Sequence, residues 1–341
     1  MNTTRHLSNC LLGGMLGDTI GLPAEGMHAR RIAKLWNGNF KQRLVLGNGM
    51  VSDDTEHAVM TLLALQKSGT DPDVFTKRLG GRLRWWFAAL PAGLGLATAR
   101  SCIRLWLGFS PQKSGVFSAG NGPLMRAPVI AAFFHGQPDL RDAFITASTR
   151  ITHTDPLADE SARLIGTAVG LAIEEVNDCG TVIKRLQSQI TSEILGARFT
   201  EMERSLKDGE STSCFADSFG RKKGMVSGFA PDTAAVAIHA WLRHRGDFRK
   251  TIEAVVAAGG DTDTVAFVAG SIAGAGSSSD SLPADWLDHI CDFPITPPFV
   301  RRAVEGRESR MAIWPLAFLR NMIFLIIVLF HGFRRLFPPY R

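Results

Sequence analysis

The sequence lacks any paired cysteine motif. Its five cysteines, Cys10, Cys102, Cys179, Cys214 and Cys291, are odd in number, far apart and nowhere spaced as C-x-x-C. Zinc-ribbon and thioredoxin-type chemistry therefore have little support, and a reduced, intracellular setting is the simplest reading. No long block of Lys or Arg stands before residue 300, so the formal charge of +6 favours anionic ligands only weakly. It gives no ground for expecting specific nucleic-acid binding. Export is not expected either, because the apolar stretch at Leu11 and Leu12 is cut short by Gly13, Gly14, Gly17 and Asp18. Clear alternating strands are scarce, and neither a low-complexity tract nor a repeat of fixed period is found.

What is present is a globular composition of 341 residues, 45% hydrophobic and 21% charged, enough for one large domain or two modest ones. Apolar spacing predicts helices over about 5–20, 54–67, 73–90, 123–135, 139–150, 157–176, 180–195, 231–244, 247–258 and 264–275. Residues 24–52 read as loop-rich, and 205–230 as an irregular connection or surface loop. Gly13, Gly17 and Gly21 recur every four residues, which puts them on one helical face where a second helix can approach closely. The expected fold is all-α: one compact domain over 1–300, followed by a tail over 301–341.

Two acidic motifs carry most of the chemical information. They are Ser52-Asp53-Asp54-Thr55 and Gly259-Gly260-Asp261-Thr262-Asp263-Thr264, each just before a helix-like apolar run. Hydroxyls and carboxylates alone make an oxygen-only donor set, which suits hard cations such as Mg2+, Mn2+ or Ca2+. Taken alone, the first motif reads as an ordinary helix N-cap, and the second is as easily a loop followed by a cap. Together they are harder to dismiss, since four carboxylates in one place repel unless cations or protons intervene.

Three other segments have ligand-binding character. Gly120-Asn121-Gly122-Pro123 opens an apolar helix and could present N–H groups to a phosphate, although a plain turn is favoured. His153, in Thr152-His153-Thr154-Asp155-Pro156, stands at another helix start, where a structural role is commoner than a catalytic one. Arg126 offers a cation for a diphosphate or, equally, one half of a structural ion pair.

In order along the chain, five motifs make the sequence resemble the ADP-ribosylglycohydrolase family. They are Gly14-Met-Leu-Gly-Asp-Thr-Ile-Gly-Leu-Pro-Ala-Glu25, Ser52-Asp-Asp-Thr55, Gly120-Asn-Gly-Pro-Leu-Met-Arg126, Thr152-His-Thr-Asp-Pro156 and Gly259-Gly-Asp-Thr-Asp-Thr264. The resemblance implies an all-α bundle with a binuclear Mg2+ or Mn2+ centre in a cleft. It implies Ser52, Asp53 and Asp54 as metal ligands from one side, and Asp261, Asp263 and Thr264 from the other. It makes Glu25 and Asp54 the catalytic residues, with Glu25 as proton acceptor or gate. Asn121 and Gly122 would line the ADP-ribose phosphates, His153 would lie near the nucleotide or its ribose, and Asp18 would orient the first loop. Ser52 departs from the Thr of many members but keeps the hydroxyl oxygen. The implied reaction is hydrolysis of the N- or O-glycosidic bond of an ADP-ribosylated protein, arginine linkage preferred. Its implied role is reversal of a regulatory modification or immunity against an ADP-ribosyltransferase toxin. The alternatives are a catalytically silent ADP-ribose-binding module and a metal-dependent nucleotide phosphohydrolase.

The tail lies outside the resemblance. Its uninterrupted apolar core, Met322–Phe330, is too short for a bilayer, which takes about 20 residues. The longer stretch 311–333 is broken by Pro315, Arg320 and Asn321. Arg301, Arg302, Arg307 and Arg310 precede it, and Arg334, Arg335 and Arg341 follow. That pattern suits a helix lying at an anionic membrane surface, favoured over a span. A helix packed on the core or on a partner is the other reading. The expected location is cytoplasmic, peripheral at the inner membrane face through 311–341.

Overall fold

Many helices of this chain begin where the sequence offers an oxygen to their unpaired N–H groups. Ser52, Asp71, Asp155, Asp178, Ser192, Ser211, Asp247 and Thr296 each accept a bond from the first turn that follows them. The computed structural model describes residues 2–219, 223–278 and 281–337. Among them are seventeen α-helices: α1 Asn2–Gly21, α2 Ala29–Trp36, α3 Asp53–Leu65, α4 Pro72–Ala88, α5 Leu96–Trp106, α6 Ala127–Phe133, α7 Pro138–Thr152, α8 Pro156–Ile173, α9 Cys179–Gln187, α10 Glu193–Lys207, α11 Thr212–Asp217, α12 Ala230–Arg243, α13 Phe248–Ala258, α14 Thr262–Ala275, α15 Ala284–Leu287, α16 Pro297–Val304 and α17 Trp314–Arg334. Two short strands, β1 Met27–His28 and β2 Gly259–Gly260, pair antiparallel with Met27 opposite Gly260.

The all-α expectation holds. Helices α1 and α14 run antiparallel at the centre of the core, and small residues set their separation. A Cβ on Gly13 would strike the Gly270 carbonyl, one on Gly17 the Ala266 carbonyl, and one on Gly21 the Thr262 carbonyl. Nothing larger than hydrogen fits at those contacts, so the two backbones touch. The Thr262 hydroxyl donates to the Gly21 carbonyl at 2.8 Å, locking the end of α1 to the start of α14.

Several expected boundaries shift. The helix expected over 180–195 stops at Gln187, and a separate helix that was not expected, α10, starts at Glu193, where Ser192 accepts from the Leu195 N–H. Helix α2 occupies part of the stretch expected to be loop, capped by His28 and not by a hydroxyl or carboxylate. The segment 205–230 is not simply a surface loop. It contains α11, and residues after it turn inward: Val226 N donates to the Gly259 carbonyl and Asp261 N to the Val226 carbonyl, each at 3.0 Å. The expected boundary at residue 300 falls inside α16, whose Phe299, Val300 and Ala303 are buried.

Helix α17 packs on the molecule through its polar residues. Arg320 forms a two-pronged pair with Asp292, at 2.9 and 2.6 Å, and reaches Glu56 at 3.2 Å. It also donates to the Val51 carbonyl at 2.6 Å. Asn321 donates to the Ala89 carbonyl at 2.9 Å, and Arg335 to the carbonyls of Glu25 and Pro23 at 2.7 and 2.9 Å. Removing the Arg320 charge leaves two buried carboxylates without their cation. Replacing Arg320 with Met is therefore expected to cost about 3–5 kcal/mol, read as a lower midpoint in urea unfolding. A midpoint within about 0.5 kcal/mol of the parent, the range of an ordinary surface substitution, would show that the pair contributes little.

Candidate active site

The antiparallel contact of α1 with α14 delivers the end of one helix to the start of the other. Leu22-Pro23-Ala24 forms one 3-10 turn after α1, and Glu25 follows it. Gly26 N donates to the Gly260 carbonyl at 2.7 Å, which fixes Glu25 against the second acidic motif. Gly259 and Gly260 have φ of +74° and +82°, and a Cβ on either would collide with backbone of the neighbouring segments. Only glycine meets both demands there.

The first acidic motif is held from two sides. Asp18, fully buried on α1, accepts from Ser52 N at 3.0 Å, Thr55 N at 3.3 Å and the Thr55 hydroxyl at 2.5 Å. It thus orients Ser52–Thr55 as a supporting group. On the other side Val51 N donates to Asp292 at 2.9 Å while its carbonyl receives Arg320. Ser52 caps α3 by accepting from Asp54 N at 3.2 Å.

These constraints bring the two motifs together. The Thr264 hydroxyl donates to Asp54 Oδ2 at 3.2 Å across 210 positions of sequence, and the Ser52 hydroxyl reaches the same oxygen at 3.3 Å. The other oxygen, Asp54 Oδ1, is buried with no hydrogen-bond partner. Asp53, Asp54 and Asp263 are all pushed well above the usual carboxylate range, first by burial and then by neighbouring carboxylates. Asp18 rises to about 6, because burial outweighs the bonds from Thr55 and Ser52. Glu25 rises to about 7 through crowding by protein and the charges of Asp261 and Asp18, opposed by Arg335. Its side chain still reaches solvent, so water offsets part of that push. Among the described residues no three carboxylates, imidazoles or thiols close into a ligand shell by themselves. The hydroxyls of Ser52 and Thr264 both lie against Asp54.

The remaining expected residues take distinct places. Asn121 spends its side-chain amide on Asp261 Oδ2 at 2.8 Å and the Thr233 hydroxyl at 3.0 Å, so it orients Asp261. Gly122 opens a short 3-10 turn beside it. His153 lies under this loop, 3% exposed: a Cβ on Gly122 would come within 3.0 Å of its ring. Burial and the nearby Arg126 pull its pKa down to about 3, so it stays neutral. Arg126 faces neither a diphosphate opening nor a carboxylate. It is fully buried and donates to Ser148 Oγ at 2.9 Å and Thr152 Oγ1 at 2.8 Å, and lies 3.2 Å from His57 Nδ1.

Sequence reasoning did not single out Glu56, Asp292 or the docking role of Arg320. Glu56 accepts from Trp86 Nε1 at 2.7 Å, and its pKa is raised because burial outweighs the pull of Arg320 and Trp86. An Arg-Asn pair within an apolar run was the available signal for this network.

Comparison with known proteins agrees with this architecture. A model of the ADP-ribosylglycohydrolase family matches residues 2–312, ending just before α17. The ADP-ribosyl-[dinitrogen reductase] glycohydrolase of Rhodospirillum rubrum is 26% identical over 285 residues, 82% of this chain and 88% of the relative. The ADP-ribosylhydrolase ARH3 of Gallus gallus is 25% identical over 334 residues, 81% and 86% of the two chains. A solved chain described as an ADP-ribosylglycohydrolase-related protein complex superposes with a TM-score of 0.66 at 24% identity, covering 92% of this chain and 99% of that one, and it speaks for the fold. A family model spanning nearly the whole chain, over a helical core that joins the two acidic motifs, shows that this protein belongs to the ADP-ribosylglycohydrolase family, hydrolases of ADP-ribose glycosyl bonds.

Proposed function

We propose that this enzyme removes ADP-ribose from protein side chains, arginine-linked ADP-ribose preferred, with a pair of Mg2+ or Mn2+ ions between its two acidic loops. The observation that carries the reading is the meeting of Asp54 with Thr264 while Asp54 Oδ1 stays buried and unbonded. A buried anionic oxygen without a donor is costly unless a cation or a proton faces it. Asp53, Asp54, Asp261 and Asp263, with the hydroxyls of Ser52 and Thr264, would hold the ions. That donor set fits a hard divalent cation. Bound there, the ions would supply Lewis acidity toward the ribose hydroxyls and an attacking water. A protein substrate is supported by the name of the Rhodospirillum rubrum relative, and arginine by the resemblance of the motifs alone. The same reaction would undo the damage of an ADP-ribosyltransferase toxin.

The chain's own residues divide the work. Cleavage at the anomeric carbon of the ribose develops positive charge, as in other glycoside hydrolysis. Glu25, at the open edge of the cluster, takes the proton of the attacking water on its carboxylate as the anomeric C–N bond breaks and returns it to the departing guanidine nitrogen, and a group with pKa near 7 is suited to both transfers. Asn121 holds Asp261 in place, and the missing side chain of Gly122 leaves room for the His153 ring beneath the adjoining turn. His153, neutral and buried, supports that loop from below.

The deciding experiment incubates the protein with arginine-, serine- and nucleic-acid-linked ADP-ribose, with and without EDTA, and separates the products. Free ADP-ribose from the arginine-linked substrate, abolished by EDTA, is expected. Release of AMP or phosphate would identify a phosphohydrolase, and no release from any substrate would identify a binding module. Glu25→Gln is expected to lower kcat by about 100-fold or more with metal content unchanged. Full activity would rule out proton transfer by Glu25, and loss of the ions would make it a ligand. Asp18 and Glu25 hold protons more tightly folded, at about 6 and about 7, than at their ordinary values of 3.8 and 4.5. The ion-free fold therefore loses stability as pH rises through that window, and ions that displace the protons restore it. In EDTA, the thermal midpoint should fall between about pH 5 and pH 8, and added Mg2+ or Mn2+ should raise it more at the higher pH. A gain equal at both pH values would count against ions at this cluster.

A further inference from the structure

Helix α17 is amphipathic in the reverse sense. The residues that interrupt its apolar run, Arg320 and Asn321, are buried, as is His331, and all three bond to the body of the protein. Its opposite face carries Leu316, Leu319, Ile323, Ile326, Phe330 and Phe333, spaced by three and four so that they form one stripe. Leu319, Ile323, Ile326 and Phe330 are 55%, 48%, 67% and 68% exposed. A helix of 21 residues is about 32 Å long, so the stripe is far larger than the scattered apolar residues of an ordinary surface. Trp314, at its first turn, is 44% exposed, and Phe293, beside the Asp292 that Arg320 grips, is 52% exposed.

Charge decides what covers this face. From Ser309 to the last residue the sequence contains no Asp or Glu, and its charged side chains, Arg310, Arg320, Arg334, Arg335 and Arg341, are all cationic. We propose that the outward face of α17 docks on an anionic lipid bilayer, with the helix lying flat in the interface and the catalytic domain held on its inner side. Apolar side chains enter the acyl boundary while Arg310 and Arg334, exposed at the two ends, meet lipid phosphate. Crossing is disfavoured, because it would strip Arg320 and Asn321 from Glu56, Asp292 and Ala89 and place them in hydrocarbon. A second copy is disfavoured too: a two-fold pairing of this face would bring cationic ends together with no carboxylate on the helix to balance them.

The test is co-sedimentation of the full chain with phosphatidylcholine vesicles, with and without phosphatidylglycerol. The parent should pellet with the anionic vesicles and far less with the neutral ones, and alkaline carbonate should release it. The variant Leu319→Ser/Ile323→Ser/Ile326→Ser/Phe330→Ser should lose vesicle binding by about tenfold or more, with its melting curve and hydrolysis of a soluble substrate unchanged. Should four changes disturb folding, the single variant Ile326→Glu tests the same face and should weaken binding to anionic vesicles. Equal pelleting of parent and either variant, or no pelleting of the parent, overturns the proposal. Retention of the parent through carbonate overturns the flat placement in favour of a crossing helix. A parent dimer that the variant abolishes, without vesicle binding, overturns it in favour of self-association.

Discussion

The close antiparallel contact of α1 with α14 is the constraint on which the rest of the molecule depends. Hydrogen at Gly13, Gly17 and Gly21 lets the two backbones meet without an intervening layer of side chains. Such a contact leaves no slack, since neither helix can slide or rotate without steric overlap. Both acidic motifs take their position from it. Glu25 follows the end of α1 and the second acidic motif opens α14, while Asp18, one turn earlier on α1, holds the loop at Ser52–Thr55. One helix thus registers all three pieces.

Electrostatics explains why the surroundings are built as they are. Carboxylates crowded in a region of low dielectric repel one another, and the fold offsets this partly with cations brought from elsewhere. Two of those cations, Arg320 on α17 and Arg335 just after it, lie beyond the residues that the family model matches. Burial alone would lower the pKa of Arg320, but Glu56 and Asp292 outweigh it and keep the guanidinium charged. Arg335 opposes the upward push on Glu25. On the far side Arg126 bonds to neutral hydroxyls, a carbonyl and an imidazole, and so organises α3 and α7 without adding a salt bridge.

Much of this was legible in the sequence, for identifiable reasons. The glycine spacing on α1 and the two acidic motifs are local patterns, and local patterns survive in a linear reading. The helix predictions over α3, α4, α7, α8, α12, α13 and α14 rested on apolar periodicity and lay within a few residues of the observed ends. The meeting of Asp54 with Thr264 was expected from the resemblance, because propensity carries no information on a contact 210 positions apart. The partners of Arg320 were hidden for the same reason, since Glu56 lies 264 positions away. The tail was read by its average polarity, in which Arg320 and Asn321 count as interruptions. Their position on one face, opposite the apolar stripe, shows instead that they are the means of attachment. Helices α10 and α11 escaped notice because charged and polar residues blur their periodicity, and Arg126 looked available because sequence does not reveal depth.

The raised carboxylates have a consequence for how such a cleft is loaded. Glu25, with a pKa of about 7, carries a hydrogen ion for part of the time near neutrality, and burial and neighbouring charge push Asp54 and Asp263 in the same direction, so the cluster is a small acid store and not a bare anionic trap. Any divalent cation entering it would have to evict that acid, and uptake would then acidify the medium. Affinity for such a cation would then fall as the medium acidifies, through protonation of the carboxylates and with no rearrangement of the helices that carry them.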